Sequence, residues 1–258
     1  MPKPLKLSHT SLDIYQKCGY KYFLKYRKYI KPYIPIRWPL VNGVAFHSLA
    51  DLMYKTLDFS RKFLIRNWRP IFIEALDNES CTLYPIVGWD KQLKYGYGLV
   101  YQFHKFALAQ GYLVKPMHSE WQFNIKLDTF SVIGKVDLIM PKKGAPTEIL
   151  DFKTSWKLPS ENDVRKNKQL TIYDWAVKKE LGLKDVISGL FFPRKNKIMY
   201  TDRTNADHNK ILCEFEDMAK NITNEVFKPN YDHCKQCDFK NYCKHYKKQG
   251  SDSPKFVV

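Results

Sequence analysis

Two short stretches, Gly134-Lys135-Val136-Asp137-Leu138-Ile139 and Glu148-Ile149-Leu150-Asp151-Phe152-Lys153, decide the fold of this chain. Both are apolar runs typical of buried strands, and each carries an acid in its apolar part. Asp151 and Lys153 are two residues apart, so their side chains lie on the same face of a strand. Burying these charges costs free energy, which a divalent cation bound to the acids would offset. A buried Asp–Lys ion pair is the alternative for Asp151 and Lys153 alone.

Alternating and apolar runs around these stretches predict a series of strands. The predicted strands are 120–127, 130–140, 147–153, 186–192 and 197–201. Helical periodicity predicts a helix capped by Ser8 or Thr10 that carries Cys18 towards residue 28, and further helices at 44–57, 61–78, 89–110, 161–181 and 205–227. Three prolines predict an extended connector over 31–39. The chain is therefore predicted to have an α/β fold with a helical N-terminal half.

The composition predicts a polyanionic partner and a reducing compartment. Lys and Arg number 43 against 26 Asp and Glu, which gives a formal net charge of +17. Nucleic acid is the leading partner, because its phosphates supply a dense row of opposite charge. A lysine-rich solvated surface is the alternative. With no apolar stretch of membrane-spanning length and no signal peptide, we expect a cytoplasmic protein that does not contact membranes, in which cysteines serve as thiolate ligands.

Three of the six cysteines form the pattern Cys234-x2-Cys237-x5-Cys243. Thiolates at this spacing reach one metal centre. A fourth ligand is needed, and with His233 or His245 the site would be a zinc site of the Cys₃His type. Cys81 and Cys213 fall in helical stretches and are predicted to be buried thiols.

Three polar residues outside the strands are candidates for the same site as the acids. His47 can supply a neutral imidazole to a metal, although a lone histidine is more often structural. Gln169 and Tyr173 are four apart and share a helix face, which could contact Lys153 or a phosphate. An ordinary polar patch is the alternative for this pair.

Taken in order, Gly43-x-x-x-His47, Gly134-x-x-Asp137, Asp151-x-Lys153 and Gln169-x-x-x-Tyr173 resemble the motifs of the RecB-like branch of the PD-(D/E)XK nuclease superfamily. The resemblance covers residues 7–246. It implies a restriction-endonuclease-like core, which is a mixed sheet flanked by helices, and an enzyme that hydrolyses phosphodiesters with Mg²⁺ or Mn²⁺. It implies one domain over 1–248, with a helical insertion at about 55–112, a nuclease core at about 116–203 and a loose tail at 249–258.

The resemblance also implies a role for each motif residue. The metal ligands would be His47, Asp137, Asp151 and the backbone carbonyl of Phe152, and Lys153 would be the catalytic lysine. Gln169 and Tyr173 would position that lysine and the DNA. Glu120 resembles an acid often found at the start of the preceding strand, and a salt bridge is its favoured interpretation.

The N-terminal pattern Leu7-Ser8-x-x-Ser11-x-x-x-Tyr15-x-x-Cys18-x-x-x-Tyr22 is similar to the first cluster cysteine of the same family. That family includes CRISPR-adaptation exonucleases and the cluster-bearing subunit of AddAB-type helicase–nucleases. The resemblance implies a [4Fe–4S] cluster held by Cys18, Cys234, Cys237 and Cys243, which joins the two ends of the chain. Gly19 stands where the family usually has proline.

The expected function is that of a metal-dependent DNA exonuclease acting on single strands or free ends in recombination, repair or replication. The expected partners are DNA and a helicase, recombination or CRISPR-adaptation protein, in the cytoplasm of a bacterial, archaeal or phage-infected cell. The chain has no helicase motif of its own. The alternatives are an inactive or weakly active nucleic-acid-binding module and a zinc-stabilised RNA-processing nuclease.

Overall fold

The computed structural model describes residues 5–32, 35–79 and 88–246. Its strands are β1 (Leu5–Leu7), β2 (His118–Lys126), β3 (Phe130–Lys142), β4 (Ala145–Phe152), β5 (Val186–Phe192) and β6 (Lys197–Thr201). Its helices are α1 (His9–Lys17), α2 (Gly19–Tyr22), α3 (Trp38–Thr56), α4 (Arg61–Glu79), α5 (Trp89–Ala109), α6 (Glu161–Arg165), α7 (Lys168–Leu181) and α8 (Asn205–Thr223). Cys81 and the expected tail at 249–258 lie outside the described residues.

The strands form one mixed sheet in the order β1-β3-β4-β5-β6, with β2 paired to the other edge of β3. The β1–β3 and β4–β5 pairs are parallel, and the other pairs are antiparallel. This arrangement confirms the predicted α/β class with a sheet flanked by helices. None of the described helices is both long enough and apolar enough to cross a bilayer.

The alternation of side chains along the central strands divides the core into two layers. Leu138 and Leu150 face a cluster formed with α3, α4 and α5, whereas Ile139 and Ile149 face a cluster formed with α1, α7 and α8. Successive strand residues point to opposite faces, so strands buried on both faces are continuous apolar runs. An acid within such a run is therefore surrounded by packed apolar side chains.

The structure corrects several predicted elements in the N-terminal half. Helix α3 begins at Trp38 rather than 44, because Pro39 occupies its first turn, where proline costs no hydrogen bond. The first helix, capped by Ser8, ends at Lys17. Cys18 is extended, and a second helix starts at Gly19. The short strand β1 was not predicted.

The C-terminal half also differs from the prediction, and helix α8 ends at Thr223 rather than 227. The predicted helix 161–181 is two helices, because Asn167 caps α7 and Arg203 donates to the carbonyls that end α6. Cys213 was predicted to be buried, which is wrong: its position on α8 faces solvent.

Replacing Arg203 tests the origin of the break between α6 and α7. Its guanidinium is buried and donates to the carbonyls of Val164, Arg165 and Asn167. We expect Arg203→Ala to lower the free energy of unfolding by about 2–4 kcal/mol, since three acceptors lose their donor. Arg203→Lys should also destabilise the protein, because an ammonium cannot replace the planar fork.

Denaturant unfolding measures both variants. Lys210→Ala on the exposed side of α8 is the control and should unfold like the wild type. An unchanged unfolding midpoint for Arg203→Ala would show that these hydrogen bonds do not stabilise the junction between α6 and α7.

Candidate active site

The strand register brings three acids into one row across the sheet. Leu138 pairs with Leu150, so the next position along each strand sets Asp137 beside Asp151. On the other edge of β3, the pairs on either side of Glu120 set it opposite Asp137. Asp137 is 6 % exposed and Asp151 only 2 %, so both carboxylates are almost withdrawn from water.

His47 lies over this row from helix α3, which packs against β2. Its Nδ1 lies 3.1 Å from Oδ1 of Asp137 and 3.8 Å from Oε1 of Glu120. Burial disfavours the charged imidazole, but the two carboxylates outweigh burial and raise the pKa of His47 to about 10. One ligand atom from each of His47, Glu120 and Asp137 lies within 4.8 Å of the others.

The backbone at Glu120 is unusual for a strand residue. Its φ of 50° is in the left-handed region, which costs a non-glycine residue free energy. Its carboxylate forms the expected salt bridge with Lys135 and also lies beside His47. Glu120 therefore belongs to the acidic row as well as to a surface ion pair.

Asp151 is buried in a close ion pair. Its Oδ2 lies 2.6 Å from Nζ of Lys153, which is its one partner among the described residues. Burial raises the pKa of Asp151 and Lys153 opposes the rise. The neighbouring Asp137 is better compensated, because the backbone N–H of Phe152 donates to its Oδ2 at 2.7 Å.

A hydrogen-bonded chain from helix α7 fixes Lys153. Nζ of Lys153 donates to Oε1 of Gln169 at 3.0 Å, and Nε2 of Gln169 donates to the hydroxyl of Tyr173 at 2.8 Å. Burial, together with Asp151 and Asp137, raises the pKa of Tyr173, so its hydroxyl stays protonated. The structure thus brings together Asp151, Lys153, Gln169 and Tyr173, which the motifs had grouped.

Gly134 supports this chain from the sheet. A Cβ at Gly134 would lie 2.3 Å from the ring of Phe123, which packs edge-on against the ring of Tyr173. Gly43, by contrast, has room: a Cβ there would meet only Oγ1 of Thr154, at an ordinary 3.5 Å. The two motif glycines therefore have different physical roles.

His9 is a neighbour of the site that the sequence did not indicate. Burial lowers the pKa of His9, and the charges of Lys153 and Lys168 lower it further against the opposing effect of Asp13. It begins helix α1, so its approach to Lys153 depends on how α1 packs on α7. No spacing rule in the sequence predicts that approach.

The donor atoms of the row fit a divalent cation. Carboxylates suit Mg²⁺, and an imidazole added to them also suits Mn²⁺. The burial and close approach of the three acids cost free energy that a positive charge would offset. His47, Glu120, Asp137 and Asp151 are the side chains that could hold the ion, and Phe152 lies beside them on the cleft wall.

Glu120, His47 and Lys153 line a cleft of about 1780 Å³, whereas the buried Asp137 and Asp151 do not form part of its wall. Basic side chains outnumber acids along it: Arg37, Lys55, Lys91, Lys135, Lys153, Lys157 and Arg194, against Asp51, Glu74 and Glu120. Aromatic rings share the walls, namely Trp38, Tyr95 and Trp156. A cleft with this charge concentrates anionic ligands near the acids.

A second group of potential ligands lies where the two ends of the described chain meet. The backbone N–H of Asn230 donates to Sγ of Cys18 at 3.4 Å, and Sγ of Cys234 lies 3.7 Å from the carbonyl oxygen of Asn230. Burial raises the pKa of Cys234, as do the nearby thiols of Cys243, Cys18 and Cys237. Cys18 and Cys234 therefore share Asn230 as a neighbour, and the other two predicted cysteines lie within electrostatic reach of Cys234.

The departure from proline at Gly19 has a structural reason. A Cβ at Gly19 would lie 2.9 Å from the backbone nitrogen of Lys228, and the N–H of Tyr20 donates to the carbonyl of Lys228. Backbone atoms cannot move aside cheaply, so this position needs glycine. The contact holds Cys18 beside the C-terminal loop.

Three comparisons relate this chain to known proteins. The family model described as the PD-(D/E)XK nuclease superfamily matches residues 6–244. A crystal structure from Eubacterium rectale, described as "Putative exonuclease", is similar with a TM-score of 0.57 and 15 % identity, covering 95 % of this chain and 91 % of that chain. The structure of SSO0001 has a TM-score of 0.35 and 14 % identity, with 93 % and 96 % covered. A search of curated proteins found no match.

The two motif glycines give a matched pair of stability predictions. Gly134→Ala should lower the free energy of unfolding by about 1–3 kcal/mol, because the new methyl group overlaps the Phe123 ring. Gly43→Ala should be neutral or stabilise the protein by up to about 1 kcal/mol, because it lies within helix α3 and has room. Denaturant unfolding measures both variants. Equal changes in the free energy of unfolding would contradict the different physical roles given to Gly134 and Gly43.

Proposed function

We propose that this chain, which belongs to the PD-(D/E)XK nuclease superfamily because that family's model matches nearly its whole length, is a metal-dependent deoxyribonuclease. In the proposal it is an exonuclease that acts on single strands or free ends of DNA. The observation that carries the proposal is the position of Lys153, held by Asp151 and Gln169 beside a buried acidic row, on the wall of a basic cleft.

In this proposal each residue of the site has a separate role in phosphodiester hydrolysis. A divalent cation held by these residues would supply Lewis acidity to the phosphodiester. Asp137 and Asp151 would hold it, with His47, Glu120 and the carbonyl of Phe152 as further ligands. Lys153, restrained by Gln169 and Tyr173, stabilises the negative charge that grows on the phosphate oxygens in the transition state.

The charge of the cleft supports a nucleic-acid substrate. Seven basic side chains face three acids along its walls, and counterion release makes such a surface bind phosphates in any sequence. The description of the Eubacterium rectale protein as "Putative exonuclease" adds support for action at ends. An inactive binding module is less well supported, because each side chain that the chemistry needs is present and in contact with its neighbour.

Lys153→Ala tests the catalytic assignment. The substrates are end-labelled single- and double-stranded DNA and RNA, each with Mg²⁺ or Mn²⁺. We expect the wild type to shorten DNA from its ends. Lys153→Ala should be slower by about 100-fold or more, because no ammonium then stabilises the negative charge on the phosphate oxygens in the transition state. Asp151→Asn should be similarly impaired.

Lys220→Ala is the control. It removes the same charge as Lys153→Ala, but Lys220 lies on the exposed side of α8 and does not line the cleft. Equal rates for wild type and Lys153→Ala would contradict the proposed function. Cleavage of RNA in preference to DNA would favour the RNA-processing alternative.

We propose further that Cys18, Cys234, Cys237 and Cys243 hold a [4Fe–4S] cluster. Four cysteine thiolates are the usual ligands of that cluster, and backbone N–H groups that donate to its sulfurs are a common second layer. The hydrogen bond from Asn230 to Cys18 is of this kind. Bound there, the cluster would crosslink positions more than two hundred residues apart and stabilise the fold by restricting the unfolded chain.

Metal analysis of protein purified without oxygen tests the cluster. Wild type should be brown and contain about four iron and four sulfide ions per chain, and Cys18→Ser should lose most of both and melt at a lower temperature. His233→Ala and Cys213→Ser should keep the iron, because neither is a proposed ligand. A colourless wild type with one zinc that His233→Ala removes would establish the zinc site instead.

We propose further that the enzyme processes DNA in the cytoplasm during recombination, repair or replication, and that a helicase, recombination or CRISPR-adaptation protein supplies unwound strands.

A further inference from the structure

The segment that follows Lys153 carries an exposed tryptophan into the cleft. Trp156 is 59 % exposed, an unusual exposure for a large aromatic side chain. It lies three residues beyond Lys153, a span of at most about 11 Å even when extended. Trp156 and Lys153 both line the cleft, so the ring belongs to the same surface as the lysine proposed to act on the phosphate.

The pairing of β4 with β5 brings two cations to this ring. The strands are parallel, so the segments that follow them leave the same edge of the sheet, and the N–H of Lys153 donates to the carbonyl of Phe191. The guanidinium carbon of Arg194 lies 4.8 Å from the centre of the Trp156 ring, and Nζ of Lys195 lies 5.5 Å from it.

Arg194 is fixed by the backbone rather than by an acid. Its Nε donates to the carbonyl of Thr154 at 3.0 Å, and within residues 5–32, 35–79 and 88–246 no carboxylate forms a salt bridge with it. The N–H groups of its two terminal nitrogens, and the positive charge they carry, therefore remain free to bind an anionic ligand. A guanidinium beside an exposed indole offers a phosphate contact next to a stacking surface.

We infer that Trp156, Arg194 and Lys195 form a nucleotide subsite in which an unpaired base stacks on Trp156 while a neighbouring phosphate binds the two cations. The inference rests on the proposed function and specifies its substrate: a strand with an unstacked base within about three nucleotides of the bond to be cut. A base inside a duplex is already stacked and paired, so the subsite favours single strands and frayed ends.

Binding without added Mg²⁺ or Mn²⁺ tests the subsite while no strand is cut. The probes are a fluorescein-labelled thymidine oligonucleotide of about 12 residues and an abasic oligomer with the same number of phosphates. Fluorescence anisotropy should show that wild type binds the base-bearing strand about 10-fold more tightly. Trp156→Ala should lose this preference, and Trp156→Phe should keep most of it.

The control is Tyr101→Ala, which removes another exposed ring that lies beside a cation, Arg61, but does not line the cleft. It should bind both probes like the wild type. Trp156→Ala that keeps the full preference for the base-bearing strand would overturn the subsite, and so would a wild type without such a preference.

The cleavage assay separates this inference from the proposed function. If wild type cuts no substrate, the proposed function fails, and the base preference still decides the subsite. If wild type cuts and Trp156→Ala cuts single strands, duplexes and strands with abasic ends at unchanged relative rates, the subsite fails alone. The expected result is a larger loss for Trp156→Ala on single strands than on substrates whose end bases are missing.

Discussion

Asp137 and Asp151 stand side by side on neighbouring strands, inside a sheet that is apolar on both faces. Like charges at this separation, withdrawn from water, repel strongly. The groups around them reduce that cost: the N–H of Phe152 and His47 beside Asp137, and Lys153 beside Asp151. Lys153 is in turn held by Gln169, and Gln169 by its bond to Tyr173. The positions of α3 and α7 against the sheet are thus tied to the same two carboxylates.

The register of the sheet connects this constraint to the shape of the cleft. Because β4 and β5 run parallel, the segments after Phe152 and Phe192 leave the sheet together, and the lysine and the tryptophan–arginine pair form adjacent parts of one surface. Helix α3 closes the opposite wall with His47. A slip of one residue between β3 and β4 would turn one acid to the opposite face. The strand register therefore sets both the positions of the buried acids and the composition of the cleft wall.

The strands and the principal site residues could be predicted, because each depends on local pattern. Alternation located β2 to β6 to within a few residues, and the spacing of Asp151 and Lys153 requires a shared face. The remainder depends on distant contacts. The break at Cys18 reflects the approach of Lys228 to Gly19, and the break at Asn167 reflects carbonyls bound by Arg203. The left-handed backbone of Glu120 and the approach of His9 to Lys153 arise only when helices and strands pack. The roles assigned to the cysteines remain predictions.

The close approach of Gly19 to Lys228 also has a consequence for folding during translation. A chain leaves the ribosome from its N-terminus, so α1 and Cys18 emerge some two hundred residues before the segment that covers them. Strand β1 likewise waits for β3. During translation α1 and β1 remain without these partners until β3 and the segment around Lys228 have been synthesised. Docking of the N-terminal helices therefore depends on contacts that form late in synthesis.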